Sequence, residues 1–367
     1  MTATTARVTV VFLLYNAART VPRLASALAR QSRPHVPAQC RWLEAIFADD
    51  ASRDDTRLEL ERTLSEHGRP EHWRVMLNPE NLGLAATLNR AFSLARTPYV
   101  LSCHLDCLFG DELYVSRMID LMDGHPDAGA ITGKPAVPPG ELRFAERVNL
   151  VANLMDVLPP RTSAELVPVG FAEGRCDIFR RAAVESAGFY DTTLRTAGED
   201  QVLAARLRAA GFEIYQAPRL RYVLSVSDEQ DTIGKLCRHQ RLFGRAHPYI
   251  LLRTPRTSAG VAGRIAGSNR NSRLLLRVQQ IGSTALLLLA VGLAWRGVPA
   301  VASVFPLLVL AAVKLALFHQ HFAAVAMPPR QRLAFFALQP LLDASYTLGV
   351  AQGLLRLTLP GRSGRID

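Results

Sequence analysis

Residues 42–54 read WLEAIFADDASRD, an apolar run of strand length that ends in two adjacent carboxylates, Asp49 and Asp50. Other apolar runs in the N-terminal third also end in a polar or acidic group, at residues 8–14, 73–77 and 99–105. Helical patterns follow these runs, at residues 20–31, 54–67, 84–95 and 112–122. The alternation predicts an α/β fold with a mostly parallel sheet. Because such sheets bind ligands outside the carboxyl ends of their strands, we expect a ligand site lined by carboxylates.

The chain is basic, with a formal net charge of +11 from 43 Lys and Arg against 32 Asp and Glu. Many of the basic residues lie between Arg238 and Arg277, directly before an apolar C-terminal region. A basic segment in that position is typical of a cytoplasmic membrane surface. The sequence contains neither zinc-finger spacing nor an aromatic–basic RNA motif, so nucleic acid is not an expected partner. The 5 scattered cysteines do not resemble a disulfide framework and indicate a reducing compartment.

The apolar C-terminal region predicts attachment to a membrane. It contains apolar stretches at 274–295, 298–318 and 333–355, and a membrane span needs roughly 20 such residues. The alternative is a helical domain whose helices are buried, because each stretch also carries polar residues, namely Arg277, Gln279, Gln280, Lys314, Gln339 and Asp343. Arg330 and Arg332 favour a cytoplasmic loop after the second stretch, in agreement with a cytoplasmic catalytic domain. A third full crossing would place the basic C-terminal residues outside, so we expect two or three membrane-associated segments.

The predicted organisation has four parts. Residues 1–250 form the catalytic domain, 251–273 a basic juxtamembrane linker, 274–358 the membrane-associated helices and 359–367 a basic tail.

Three acidic positions are candidates for chemistry. Asp49 and Asp50 can accept hydrogen bonds from a base or a ribose, whereas the nearby Ser52 and Asp54 can serve as helix caps. Asp106 follows a buried strand, where an unpaired charge is costly. A divalent cation that bridges two phosphates would be a suitable partner, and oxygen ligands suit Mg²⁺ or Mn²⁺.

The third acidic position is the turn Gly198-Glu199-Asp200, which opens a predicted helix. The helix dipole favours carboxylates at such a place, which is a purely structural explanation. The functional interpretation is a general base, because a displacement by a hydroxyl group requires a group that takes its proton. We assign that role to Asp200, with Glu199 supporting it.

In order and spacing these motifs resemble those of the inverting family 2 glycosyltransferases, which have the GT-A fold. The resemblance covers about residues 8–253 and includes the opening strand through Tyr15-Asn16, residues 48–54 as D-D-x-S-x-D, Asn81-Leu82-Gly83 through Asn89, and Glu199-Asp200. The closest subgroup is similar to the membrane-attached bacterial exopolysaccharide glucosyltransferases of the succinoglycan type. Residues 346–349 in the apolar region resemble their tail.

The resemblance implies a role for each matching position. Tyr15 and Asp50 would contact the nucleotide base with Asp49 beside them, and Asn81 belongs to the same donor-binding edge. Asp106 would hold the metal on the diphosphate, and Asp200 would deprotonate the acceptor.

The sequence also departs from the family pattern. Ala17 stands where the family usually has Glu, and His104 occupies the first position of the D-x-D metal motif. His104 is either a metal or phosphate ligand or a packed strand histidine. Arg241 and Arg245 lie in an approximate Q-x-x-R-W element, so they either hold the leaving diphosphate or are basic residues near the membrane.

The expected function is an inverting, metal-dependent transfer of a sugar from a nucleoside-diphosphate sugar to a lipid-linked acceptor. That acceptor would be a polyprenyl-diphosphate glycan or polyprenyl phosphate, used in cell-surface polysaccharide or glycoconjugate synthesis at the cytoplasmic face of the cell membrane. The alternative is a catalytically degenerate GT-A protein that binds nucleotide-sugar or a partner enzyme without turnover.

Overall fold

The computed structural model describes residues 6–34, 36, 41–153, 156–160, 162–194, 197–224, 232–253 and 268–358. Strands and helices alternate through the first part of the chain, as the sequence predicts. In chain order they are β1 (Val8–Leu14), α1 (Val21–Ala29), β2 (Leu43–Asp49), α2 (Thr56–Glu66), β3 (Trp73–Leu77), α3 (Leu84–Leu94), β4 (Tyr99–His104), β5 (Cys107–Phe109) and α4 (Tyr114–Gly124).

The second part of the region that contains the sheet is less regular. Its elements are β6 (Ala128–Ala136), α5 (Phe144–Ala152), β7 (Val167–Pro168), β8 (Cys176–Arg180), α6 (Arg181–Ser186), α7 (Glu199–Ala209), β9 (Glu213–Leu224) and α8 (Ile233–Arg253). Helix α8 ends at Arg253 and contains basic residues that precede the apolar C-terminal region.

One sheet runs through the domain in the order β3-β2-β1-β4-β8-β6-β9-β5, with β7 paired to β9. Strands β3, β2, β1 and β4 are parallel to one another, whereas β8 pairs antiparallel with both β4 and β6. The sheet is therefore mixed, and the predicted parallel arrangement holds for its first four strands. Their register aligns Leu14 with Asp49 and Leu13 with His104, so their carboxyl ends meet at one edge.

Alternating apolar residues explain why β1 lies in the middle of this parallel group. Val8, Val10, Phe12 and Leu14 are buried in one core cluster, and Val11 is buried in a second cluster on the opposite face with Leu88 and Phe92 of α3. A strand that is apolar on both faces requires helices on both sides of the sheet. The sheet edge with the strand ends is the part that this packing leaves accessible.

The apolar C-terminal region forms three long helices: α9 (Ser268–Trp295), α10 (Ala300–Ala324) and α11 (Pro329–Thr358). Among the described residues, segments Leu276–Trp295, Leu307–Ala324 and Pro329–Thr358 are long and apolar enough to cross a membrane. Each predicted apolar stretch is thus a helix, and the third is continuous through Pro340. Residues 254–267 of the predicted linker and the whole predicted tail at 359–367 lie outside the described residues.

These three helices turn polar groups inward and large apolar side chains outward. Nζ of Lys314 lies 2.6 Å from Oδ2 of Asp343, and both side chains are almost fully buried, at 3% and 1% exposure. In the same cluster Nε2 of Gln279 donates a hydrogen bond to Oδ2 of Asp343, and Oε1 of Gln339 accepts one from Nζ of Lys314. Large exposed apolar side chains include Leu288, Val291, Trp295, Phe305, Leu308, Leu315, Leu333 and Leu355. Buried ionisable groups and an apolar exterior are typical of a bundle that lies in lipid.

Helix α8 packs against α11 at backbone distance. Gly244 lies against the carbonyl group of Tyr346, and Gly349 and Gly353 lie against the carbonyl oxygens of Arg241 and Arg245. A Cβ atom at any of these glycines would overlap the facing backbone. Small residues spaced four apart let two helices approach closely, so this contact joins α8 to the apolar helices.

We expect Gly349→Ala to destabilise the full chain by about 1–3 kcal/mol, because its Cβ would overlap the carbonyl oxygen of Arg241. Thermal unfolding of detergent-solubilised protein measures the effect. Gly282→Ala is the matched control, since no atom lies within 4 Å of the added Cβ and alanine favours a helix. Equal melting temperatures for the two variants would contradict the proposed close contact.

Candidate active site

Asp50 organises the loop between β3 and α3. Its Oδ1 accepts hydrogen bonds from the Leu82 amide at 2.8 Å and from Nδ2 of Asn78 at 2.7 Å, and its Oδ2 accepts one from the Gly83 amide at 2.9 Å. Nδ2 of Asn81 donates to the Asp50 carbonyl oxygen at 3.3 Å. Gly83 can turn into α3 here because its φ of 85° is accessible to glycine. The buried carboxylate of Asp50 therefore holds the Asn81-Leu82-Gly83 loop against the end of β2.

Asp49 and Asn16 form a second set of contacts at the same edge. The Asp49 carboxylate accepts the hydroxyl hydrogen of Ser52, and the Ser52 hydroxyl oxygen accepts the Asn16 amide at 2.9 Å. Oδ1 of Asn16 accepts the Arg53 amide at 2.9 Å. Tyr15 is half-buried directly before this turn. The structure thus brings Tyr15, Asp49, Asp50 and Asn81 to the carboxyl ends of β1 and β2, as the sequence predicts.

Asp106 lies just after the end of β4, beside a half-buried cation. Its Oδ2 is 3.4 Å from Nη1 of Arg175, whose Nε is 3.1 Å from Glu173. Burial lowers the pKa of the Arg175 guanidinium, but the Asp106 and Glu173 carboxylates raise it by more than burial lowers it. The pKa of Arg175 therefore lies above its ordinary value. Arg175 is therefore a permanent positive charge next to Asp106.

His104 and Asp106 are the predicted metal ligands at this place. Burial lowers the pKa of His104, and its Nε2 is a buried nitrogen with no hydrogen-bond partner among the described residues. The described residues contain no group of three or more His, Cys, Asp or Glu arranged to hold a metal ion. One neutral imidazole and one carboxylate fit a divalent cation whose remaining ligands are phosphate oxygens and water.

The turn before α7 places two carboxylates at a helix N-terminus. Gly198 has a φ of 86°, and a Cβ there would overlap the side chain of Ile250 from α8. Glu199 is buried, with its Oε2 lacking a hydrogen-bond partner among the described residues. Burial, followed by the charge of Asp200, raises the pKa of Glu199 to about 8. Glu199 is thus neutral at pH 7, while Asp200 is half-buried beside it.

Asp177 and Tyr190 connect the charges near Arg175 with those of the turn before α7. Oδ2 of Asp177 accepts the Arg175 amide at 3.2 Å, and burial, despite the hydrogen bond from Thr132, raises the pKa of Asp177 to about 7. Burial and the nearby charges of Asp177, Glu199 and Asp200 raise the pKa of Tyr190 well above its ordinary value. The two sets of charges therefore belong to one electrostatic neighbourhood.

Arg241 and Arg245 lie on the face of α8 that packs against α11. Nε of Arg241 donates to Oε1 of Gln352 at 2.9 Å, and the backbone of both arginines contacts the glycines of α11. The side chain of Arg241 is exposed. A hydrogen bond to α11 is a sufficient structural reason for Arg241, so its assignment to the diphosphate stays a prediction.

Four residues of the site are not among those that the sequence motifs predict: Asn78, Glu173, Arg175 and Asp177. The signal for the last three is the glycine-rich segment 170–174 directly before β8, because an antiparallel neighbour of β4 brings its first residues to the end of that strand. Asn78 has a simpler signal, since it directly follows β3 at the carboxylate edge.

Residues 9–188 match the family described as Glycosyl transferase family 2. Two curated relatives, Uncharacterized protein Rv1520 of Mycobacterium tuberculosis and Uncharacterized protein Mb1547 of Mycobacterium bovis, are each 33% identical over 87 residues. That region is 23% of this chain and 24% of each relative, so the match spans about a quarter of the length of those proteins.

A solved structure supports the fold over a longer range. Mannosyltransferase PcManGT from Pyrobaculum calidifontis, in complex with GDP-Man and Mn²⁺, is similar with a TM-score of 0.57 and 18% identity. The alignment covers 95% of this chain and 87% of that chain. The predicted GT-A fold is thereby confirmed, and residues 9–188 match the predicted glycosyltransferase family.

We expect Asp50→Asn to weaken donor binding and to destabilise the chain by about 1–3 kcal/mol. The neutral amide accepts weaker hydrogen bonds, and its NH₂ group would face a backbone donor of the Asn81-Leu82-Gly83 loop. Calorimetric titration with nucleotide and thermal unfolding measure the two effects. Asp55→Asn is the control, because Asp55 is exposed and caps no amide of α2. Unchanged binding and stability in Asp50→Asn would refute the positioning role.

The raised pKa of Glu199 makes stability depend on pH. A carboxyl that ionises near 4.5 when unfolded and near 8 when folded favours the folded state below pH 4.5, and this contribution is lost as pH rises through 8. The melting temperature of the wild-type protein should therefore fall relative to that of Glu199→Gln between pH 5 and pH 9. The size of this fall is set by the difference between the folded and unfolded pKa values of Glu199. A difference between the two proteins that is constant over this range would contradict the neutral state of Glu199.

Proposed function

We propose that this chain, whose residues 9–188 carry a glycosyl transferase family 2 domain, moves a sugar from a nucleoside-diphosphate donor to a lipid-linked acceptor. The observation that carries the proposal is the buried Glu199 beside Asp200, in one electrostatic neighbourhood with Asp177 next to the Asp106–Arg175 pair. An inverting displacement requires a proton acceptor and a site suited to a leaving diphosphate, and Asp200 and the Asp106–Arg175 pair are the candidates for these two roles.

The donor would bind along the carboxyl ends of β1, β2 and β4. Tyr15 and Asp49 lie at the end of β1 and β2, where they would contact the base, and Asp50 would fix the Asn81-Leu82-Gly83 loop beside it. The complex of PcManGT with GDP-Man and Mn²⁺ supports a nucleoside-diphosphate sugar as the donor class. Which nucleotide and which sugar are used depends on the shape of the pocket.

Asp106, with His104, would hold Mg²⁺ or Mn²⁺ at the diphosphate. The bound ion supplies positive charge that offsets the charge developing on the leaving group. Arg175 adds a fixed guanidinium next to Asp106, so the chain itself contributes part of this stabilisation. Since His104 and Asp106 are the protein ligands in this proposal, metal affinity should depend on the donor phosphates.

Asp200 would accept the proton of the acceptor hydroxyl. The acceptor oxygen then forms a bond to the anomeric carbon while the bond from that carbon to the diphosphate oxygen breaks on the opposite face, which inverts the centre. Glu199, neutral at pH 7, would leave the negative charge on Asp200 and would support it as a positioning residue. If the acceptor is polyprenyl phosphate, its oxygen is already anionic and Asp200 has less to do.

The attachment of the site to the apolar helices supports a lipid-linked acceptor. Ile250 of α8 covers the Gly198 turn, and the same helix packs on Gly349 and Gly353 of α11. A bundle with an apolar exterior would hold this site next to a membrane, with the catalytic domain on the cytoplasmic face because of Arg330 and Arg332. A polyprenyl-diphosphate glycan or polyprenyl phosphate, used in making cell-surface polysaccharide or glycoconjugates, would reach it there.

A second candidate is a catalytically degenerate protein that binds nucleotide-sugar or a partner enzyme without turnover. Two observations favour it: His104 replaces an acidic residue of the metal motif, and the Asp106 carboxylate already contacts Arg175. Donor binding without release of nucleoside diphosphate would identify this second function.

We expect Asp200→Asn to lower sugar transfer to a hydroxyl acceptor by about 10²–10⁴-fold while nucleotide binding stays unchanged, because the amide cannot take a proton. The assay uses the full chain in detergent with Mn²⁺ or Mg²⁺, a panel of nucleotide-sugars and a polyprenyl-lipid extract. It records released nucleoside diphosphate and sugar in the lipid phase. Asp55→Asn, a carboxylate at another helix N-terminus, is the control. A wild-type rate of sugar transfer by Asp200→Asn would contradict the assignment of Asp200 as the base.

A further inference from the structure

Arg277 belongs to the apolar helix α9, yet its guanidinium lies among three helices. Its Cζ is 4.8 Å from the ring centre of Tyr346 on α11 and 5.7 Å from that of Phe243 on α8. Its Nη1 donates to Oε1 of Gln280 at 3.0 Å. The guanidinium thus lies over two aromatic rings and donates a hydrogen bond to Gln280, and such a group carries five N–H donors.

The surroundings of Arg277 connect it to both sides of the proposed active site. Phe243 packs against the cluster of Ala197, Val202 and Ile250 that surrounds the Gly198 turn. The ring of Phe243 also lies 4.6 Å from that of His239. Burial, followed by the positive charges of Arg175 and Arg277, lowers the pKa of His239 to about 4. Phe243 therefore links Arg277 to the cluster around the Gly198 turn. His239, which contacts Phe243, is close enough to Arg175 and Asp106 for their charges to affect its pKa.

A chain of hydrogen bonds fixes α9 against the catalytic domain at this level. Nε2 of Gln280 donates to Oε1 of Gln240 at 3.1 Å, and Nε2 of Gln240 donates to Oδ1 of Asn153 at 2.7 Å. Gln240 and Gln280 are buried, so both contacts are shielded from water. The register of α9, and with it the position of Arg277, is therefore set by polar contacts to the catalytic domain.

We propose that the Arg277 guanidinium binds the phosphate of the lipid-linked acceptor, at the point where the active site meets the membrane. This inference rests on the proposed function, because it names the group that would recognise that acceptor. Arginine suits the role because its planar fork binds two phosphate oxygens at once.

The position of Arg277 along α9 favours the acceptor over the donor as the source of the phosphate. The apolar segment begins at Leu276, directly before Arg277, so the guanidinium would lie at the level of the lipid headgroups. A phosphate attached to a membrane-embedded polyprenyl chain occupies that level. The donor diphosphate would instead meet Asp106 and Arg175 at the strand ends.

The test measures lipid binding by the full chain in phosphatidylcholine nanodiscs. The probes are polyprenyl phosphate and the uncharged polyprenol of the same length, and nucleotide binding is measured in parallel. Arg277→Gln should weaken binding of polyprenyl phosphate about tenfold or more, as expected when a charged hydrogen bond is lost. It should leave binding of polyprenol and of nucleotide unchanged. Arg296→Gln, an exposed arginine at the other end of α9, should behave as wild type.

Three results would overturn the inference: no preference of the wild type for polyprenyl phosphate over polyprenol, equal losses in Arg277→Gln and Arg296→Gln, or a loss of nucleotide binding in place of lipid binding. If Arg277→Gln is not monodisperse, the same binding measurements with Arg277→Lys test the inference. This variant keeps the charge without the fork, so a weakened phosphate preference supports the inference and a wild-type preference contradicts it. Because none of these readouts needs turnover, an absence of transfer by the wild type would count against the proposed function alone.

Discussion

The contact between α8 and α11 is the constraint on which the arrangement of the site depends. Gly244, Gly349 and Gly353 remove the side chains that would separate the two helices, so the helices meet at their backbones. With one face of α8 fixed in this way, its end reaches the turn before α7, where Ile250 covers Gly198. Arg253 extends the contact through Asp191, with 2.6 Å between Nη1 and Oδ2. The apolar helices and the turn that carries Asp200 are therefore joined by a single rigid element.

Buried polar groups complete this connection inside the bundle. The Lys314–Asp343 pair and the glutamines around it join α9, α10 and α11, while Gln280 and Gln240 join the bundle to α5. Removing charges from water costs free energy that the pairing only partly offsets, so such groups contribute more to specifying one arrangement than to net stability. In this chain the specified arrangement brings an apolar helix to the edge of the region that contains the sheet.

Much of the site was accessible from the sequence because strand ends are encoded locally. The runs that end at Leu14, Asp49, Leu77 and His104 are apolar over the length of a strand, and the motifs follow them directly. The structure gives Asp50 a more specific task than its motif indicates, because three donors converge on its carboxylate. Arg175 was not accessible in this way, since it reaches Asp106 only through the antiparallel pairing of β8 with β4. Local patterns do not encode the pairing of strands that are distant in the chain.

The sequence by itself determined the α/β alternation, the carboxylates at the strand ends, the turn before α7 and the three apolar helices, because these depend on short-range periodicity and on residue type. Only the tertiary structure decided that Glu199 is neutral beside Asp200, that Arg175 pairs with Asp106, and that Arg277 lies among α8, α9 and α11. The physical reason is that pKa values and ion pairs depend on burial and on charges from distant parts of the chain, which become neighbours only when the sheet and the helices pack together.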